Sequence, residues 1–260
     1  MLITSLGNAT VKLLASLRQE KYRHEHGLFL TEGARTAEDA LAAGAAPRIV
    51  AAIDGKVSEP LRESCLKAGG MVIAVTPEVM AKITQRENPQ AVAAAFPTSR
   101  ASFDKIAPST GDVFVALDRV RDPGNLGTII RTAHAVGACG VLLVGPSCDP
   151  YATESVRATT GSIFHVPIYE GSEADFLALL KRWPGSVVGA AASGSSHYRK
   201  TTYTKPVLAV MGTEQSGLSP AITKACNTIV HIPMHGTAES LNVSVATGVL
   251  LYGIRDGLAG

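Results

Sequence analysis

Short, wholly apolar runs recur through the second half of this 260-residue chain, and they constrain its fold more tightly than any other feature. VFVALD at 113–118 and VLLVG at 141–145 are apolar at nearly every position instead of at alternate ones. Strands of that kind are covered on both faces, the condition of a parallel sheet between helices. The intervening NLGTIIRTAHAVG has helical spacing, so the three segments together read as one βαβ unit. HVPIY, SVVGAA, PVLAVMG and NTIVHI supply further strands, and LNVSVATGVLLYGIRDG closes the chain as a helix with a wide apolar face.

The first half alternates in the same manner but with shorter elements: VKLLASLRQ, GLFL, RTAEDALAAG, RIVAAI, VSEPLRESCLKAGG, MVIAV, TPEVMAKI and AVAAAF. Gly44 and Gly69 fall where left-handed helix stops belong, and Thr76-Pro77 suits an N-cap followed by the first helical residue. A polar, proline-containing stretch separates the two halves. The expected organisation is a smaller α/β domain over 1–96, a linker over 97–111 and a larger parallel α/β domain over 112–260.

No run approaches the ~18 apolar residues that cross a bilayer, and the first residues lack an uninterrupted apolar signal core, so a cytoplasmic, non-membrane protein is expected. Cys65, Cys139, Cys148 and Cys226 have neither CxxC nor Cys/His ligand spacing, which gives no basis for a metal site or a disulfide framework. Lys plus Arg total 24 against 22 acidic residues, so bulk charge makes no case for a polyanion partner. The densest basic cluster is amino-terminal: Lys12, Arg18, Lys21, Arg23, His24 and His26, with Tyr22 inside it. It suits either RNA contact or a solvated helix face.

Three loops carry residues suited to chemistry. DRVRDPGNLGTIIR follows the first buried strand; it has no GxGxxG, and no acid ends the second strand, which disfavours a nicotinamide site. It offers Asn125 at an apparent N-cap, Gly127 beside it and Arg131 further along the helix, an arrangement that suits an anion. In VLAVMGTEQSGLSP, Gly212 and Gly217 flank Glu214, while Ser219 and Pro220 read as the start of the next helix. In IVHIPMHGTAESLNVSVATGVLLY a strand ends at Ile232-Pro233-Met234, and either Ser240 or Asn242 suits the cap of the last helix.

Together these segments resemble the motif set of the SpoU (TrmH-like) family of RNA ribose 2'-O-methyltransferases in the SPOUT superfamily. The first motif stands at Asn125–Ala133, the second at Met211–Ser219, and the third at Ile232-Pro233-Met234 with Ser240–Ala246. The first half, through GLFLTEGART and TQRENPQAVAA, resembles the family's RNA-binding domain, whose fold is that of a ribosomal protein; Ala91 stands where glycine is common. The resemblance implies a parallel sheet, a deep trefoil knot in the carboxy-terminal segment and a homodimer. It also implies S-adenosylmethionine, held by Gly212, Ile232 and Leu241, with Met211, Met234, Asn242 and Val243 lining the same bend.

The implied reaction moves a methyl group to a ribose 2'-hydroxyl, with 23S-type ribosomal RNA as the leading substrate. Transfer RNA methylation and a non-catalytic RNA-binding or ribosome-assembly role on the same fold are the alternatives. By carry-over, Arg131 activates the hydroxyl while Asn125, Glu214, Ser240 and Asn242 position it or the ribose; Arg131 also joins Lys12, Arg18, Lys21 and Arg23 as an RNA contact. A protonated guanidinium has no acceptor lone pair, so Arg131 either loses its proton first or acts electrostatically on phosphate and alkoxide.

Overall fold

A computed structural model describes residues 2–109, 112–213 and 215–259. The chain forms two compact units, Met1–Thr98 with Asp149–His165, and Ser99–Cys148 with Val166–Gly260. Residues 149–165 therefore leave the second half and complete the first, an excursion that a single cut near residue 100 does not anticipate.

The first unit contains strands β1 (Leu2–Ile3), β2 (Leu28–Glu32), β3 (Ile49–Ile53), β4 (Met71–Val75) and β5 (Val92–Pro97). Its helices are α1 (Ala9–Ser16), α2 (Glu20–His26), α3 (Ala34–Ala42), α4 (Glu59–Lys67) and α5 (Pro77–Thr84). The sheet runs β1-β4-β3-β5-β2, with β1, β4 and β3 parallel and β5 antiparallel to both its neighbours. Punctuation follows the sequence: Gly44 and Gly69 have positive φ, and the Thr76 hydroxyl accepts from the Val79 N–H in front of Pro77. Val11, Leu14 and Leu17 bury one face of α1 and its C-cap against Val79, Met80 and Ile83 of α5 and against the sheet. On another side, Phe29 and Phe96 meet Tyr151 and Phe164 of the excursion at ring separations of 4.7 Å.

The second unit runs β6 (Ala101–Ser102), β7 (Val113–Asp118), α6 (Pro123–Ala135) and β8 (Gly140–Val144). The chain then places α7 (Thr153–Thr159) with the first unit. It resumes with β9 (Ile168–Gly171), α8 (Glu173–Lys181), β10 (Val187–Ala190), β11 (Ser196–His197) and β12 (Val207–Met211), then α9 (Pro220–Ala225), β13 (Thr228–His231) and α10 (Val243–Ala259). All eight strands are parallel in the order β11-β13-β10-β12-β7-β8-β9-β6. Every residue of β7, β8 and β12 is buried, as double coverage requires. Phe114, Ala116, Leu142, Val144, Leu208 and Val210 face Phe176, Leu179, Trp183 and Ile222, which covers one side. Alternation turns Val115, Leu117, Val141 and Leu143 to the other side, where α6 and α10 pack on the sheet and on each other.

The expected linker is partly structured. Pro97 ends β5, β6 pairs with β9, and Phe103 and Ile106 are buried in the core of the second unit. Thr110 and Gly111 lie outside the described residues.

Candidate cofactor cavity and catalytic site

A cavity of about 510 Å³ opens in the second unit. It is bounded by Ala190–Ser193 at and after the end of β10, by Met211, Gly212 and Thr213 at and after the end of β12, by Val230 and Ile232 at the end of β13, and by Ser240, Leu241 and Val243 before and at the start of α10. All of these lie at the carboxyl ends of parallel strands, where open α/β sheets bind ligands. The volume suits a nucleoside-sized guest. Six of the seven residues expected to hold a cofactor, Met211, Gly212, Ile232, Met234, Leu241 and Val243, line the cavity. Asn242 does not, although it stands between two residues that do.

The loop after β12 is shaped by its glycines. A Cβ on Gly212 would sit 2.1 Å from the Gly217 carbonyl carbon and 2.3 Å from the Leu218 nitrogen, so any larger residue must displace backbone. Thr213 and Gly217 bridge through two backbone hydrogen bonds of 3.2 and 3.0 Å, and the Ser216 N–H donates to the Thr213 hydroxyl at 3.0 Å. Glu214, expected within this turn as a catalytic residue, lies outside the described residues. The loop then joins the first motif: Asp118, 1% exposed at the end of β7, accepts from the Ser219 N–H at 2.9 Å and from the Arg119 guanidinium at 2.8 and 3.0 Å. Ser219 caps α9 ahead of Pro220, as its sequence suggests.

The first and third motifs meet through their asparagines. Asn242 Nδ2 donates to Asn125 Oδ1 at 3.0 Å. Asn242 Oδ1 accepts from the Ser244 N–H at 2.8 Å and from its hydroxyl at 2.6 Å, which makes Asn242 and not Ser240 the residue that satisfies the first turn of α10. Ser240 is exposed on the cavity wall. Asn125 is not the N-cap of α6. Asp122 is, accepting from the Asn125 N–H at 2.6 Å, with Pro123 as the next residue. An acid directly before proline is a sequence signature of that cap, and it leaves the Asn125 amide to meet Asn242.

Arg131 lies outside the cavity lining, exposed on α6 and without an ion-pair partner among the described residues. It stands six residues beyond Asn125, about 9 Å along the helix axis. The amino-terminal basic set divides. Lys12 and Lys21 are exposed, and Arg18 spends one guanidinium nitrogen on the Thr84 carbonyl at 2.7 Å. Arg23 is withdrawn from any contact with RNA: it is 3% exposed, pairs with Asp149 at 2.6 Å, and donates to the Leu17 and Arg18 carbonyls. Burial this deep requires such a partner, and nothing in its charged surroundings in the sequence reveals one 126 residues away. Sequence reasoning also missed the wall formed by Ala190–Ser193. Its small-residue run AAAS directly after a buried strand is the signal that was there to be read. Among the described residues no group of three or more His, Cys, Asp or Glu side chains is placed to hold a metal.

The SpoU rRNA methylase family model matches residues 112–252, and a model for an MRM3-like substrate binding domain matches residues 8–94. The chain belongs to the SpoU rRNA methylase family. Among other SpoU proteins, the 23S rRNA (guanosine(2553)-2'-O)-methyltransferase of Bacillus subtilis (strain 168) is 32% identical over 253 residues, 97% of this chain and 98% of that protein. The 23S rRNA (uridine(2479)-2'-O)-methyltransferase of Streptomyces viridochromogenes is 31% identical over 268 residues, 99% and 93% of the two chains. The solved AdoMet-bound rRNA methyltransferase from Sinorhizobium meliloti superposes with a TM-score of 0.92 at 40% identity, over 99% of this chain and 98% of that one. The three motif loops of this SpoU chain are thus the loops that close its cavity or adjoin it.

Proposed function

We propose that this protein is an S-adenosylmethionine-dependent methyltransferase acting on a ribose 2'-hydroxyl of RNA, with 23S-type ribosomal RNA as substrate. The observation that carries the proposal is the junction of Asn125 and Asn242 at the edge of a cavity walled by the second and third motif loops. S-adenosylmethionine supplies a methyl group on a sulfonium centre. Met211, Ile232, Leu241 and Val243 offer an apolar slot for a flat purine, while backbone exposed by the glycines at 212 and 217 reaches the polar edges. The paired amides of Asn125 and Asn242 orient the ribose, and alignment of this kind supplies up to roughly 7–11 kcal/mol in well-ordered systems.

A guanidinium has no acceptor lone pair, so Arg131 binds the substrate phosphate and stabilises the developing alkoxide. Water or a neighbouring group takes the proton. Ser240 and Glu214 complete the positioning set. Direct displacement of this kind calls for no metal.

The functional form is a homodimer. An Arg131 that stands clear of its own cavity lining suits a site completed by a second copy. Val245 and Tyr252, each 52% exposed on α10, supply an apolar stripe with half-buried Val249 between them. The carboxy-terminal segment forms the trefoil knot that the family implies, and work on ribosomal RNA assigns the protein to the cytoplasm.

Labelled methyl transfer to total RNA, followed by mapping of the modified ribose, tests the function. One 2'-O-methylated nucleotide in 23S-type RNA is expected, and Arg131→Ala is expected to abolish the label. Failure to label any RNA, precursor and ribosome-assembled forms included, would overturn the function, and full activity in Arg131→Ala would overturn the role given to Arg131.

A further inference from the structure

We infer that the turn following β11, presenting Arg199 and Lys200, is a second RNA-phosphate contact, set on the catalytic unit at the rim of the cofactor cavity. The inference rests on the RNA reading above and names residues outside the three motif loops.

Register fixes the place of this turn. Ser196 and His197 pair with Val230 and His231, so β11 ends at the same edge of the sheet as β13. The cavity opens at that edge, since Val230 and Ile232 line it and Ser193, three residues before β11, lines it too. Arg199 and Lys200 follow immediately beyond the strand and are exposed. Neither has an acidic partner among the described residues.

The turn itself is one-sided in charge. From Ala191 on the cavity wall to Thr213 after β12, the Lys, Arg, Asp and Glu present are Arg199, Lys200 and Lys205, all basic, while Glu239 is an acid in the cavity lining. A cationic rim beside a reaction site raises the local concentration of a polyanion.

The turn is also built to stay in place. Tyr198 and Tyr203 are both 7% exposed, and the Tyr203 hydroxyl donates to the Tyr198 carbonyl. Both rings seat against glycines of α10: a Cβ on Gly253 would lie 2.6 Å from the Tyr198 ring, and one on Gly257 would lie 3.1 Å from the Tyr203 ring. Glycine inside a helix costs about 1 kcal/mol relative to alanine, and here the two glycines make room for the tyrosines. The Arg199 guanidinium lies over the Tyr198 ring at 5.6 Å, and its backbone N–H donates to His197 Nδ1 at 3.1 Å. A cation carried on a stacked, anchored ring loses little further freedom when it meets a phosphate.

The test measures affinity of the full chain for a labelled 23S ribosomal RNA transcript across a salt series, beside S-adenosylmethionine binding by calorimetry. For the double variant R199A/K200A, RNA affinity is expected to fall on the order of tenfold at low salt, with the slope of log affinity against log salt reduced by roughly 1.4, about 0.7 per contact. S-adenosylmethionine affinity is expected to hold, and the charge-preserving R199K/K200R is expected to retain RNA affinity. An unchanged salt slope in R199A/K200A, or a parallel loss of S-adenosylmethionine affinity, would overturn the inference. A wild-type chain that binds the transcript while the double variant binds it equally well sinks only this inference; a wild-type chain that does not bind it removes the RNA reading beneath it.

Discussion

Asn242 holds a helix start and a neighbouring motif with one side chain, its oxygen serving Ser244 and its nitrogen serving Asn125. Asn242→Ala is expected to lower stability by about 1 kcal/mol, the worth of a lost cap. It is also expected to reduce turnover far more than S-adenosylmethionine affinity, because the cavity wall is made by its neighbours and not by Asn242 itself. Thermal unfolding, calorimetry and labelled methyl transfer on the same variant check the three parts.

Cys226 offers a quieter test of packing. Burial pushes its thiol up to about 11, so at pH 8 only roughly one part in a thousand is thiolate. Alkylation by iodoacetamide at pH 8, followed by mass spectrometry, is expected to label it far more slowly than a free thiol; rapid labelling would show the site to be open. Motif residues such as Asn242 are legible in a sequence because chemistry dictates their type. Arg23 is not, because a buried cation and an exposed one look alike until Asp149 is brought beside it.

Among the elements, those with strong periodicity were the legible ones. VFVALD coincides with β7, and the apolar run of the last helix becomes α10 with only its bounds shifted. β6 and β11 have two residues each, too few to carry any period, and only their partners β9 and β13 define them. α10 divides its apolar residues by face: Leu250, Leu251 and Ile254 are fully buried, while Val245 and Tyr252 remain in solvent. Placing a charge on the exposed stripe with Val245→Asp is expected to convert a dimer to a monomer in light scattering and to reduce methyl transfer, with little change in melting temperature. Monomeric wild-type protein at working concentration would count against the stripe as an interface.

At the scale of the whole molecule, the polar break near residue 100 falls beside the change of unit at Thr98–Ser99, whereas the exchange of chain at 149–165 has no mark in the sequence. Residues 149–165 contain no motif or composition that marks them as belonging to the first unit; packing of Tyr151 and Phe164 on Phe29 and Phe96 assigns them there. A fragment ending at residue 98 therefore loses these aromatic contacts and strands a buried Arg23, and breaking a buried pair costs about 3–5 kcal/mol. The fragment is expected to show no cooperative thermal transition by circular dichroism, and a sharp transition near that of the full chain would contradict this. Arg23→Ala in the full chain should lower the melting temperature for the same reason.

The excursion also sets a timetable for synthesis. The ribosome releases the chain in order, and the first unit lacks its closing piece until His165 has been made, 67 residues after Thr98. At ~5–20 residues per second the wait is roughly 3–13 s. During it Phe29 and Phe96 have no aromatic cover from Tyr151 and Phe164, while β7, α6 and β8 are already emerging. The nascent amino-terminal half is thus expected to leave Phe29 and Phe96 uncovered until residues 149–165 arrive to complete its unit.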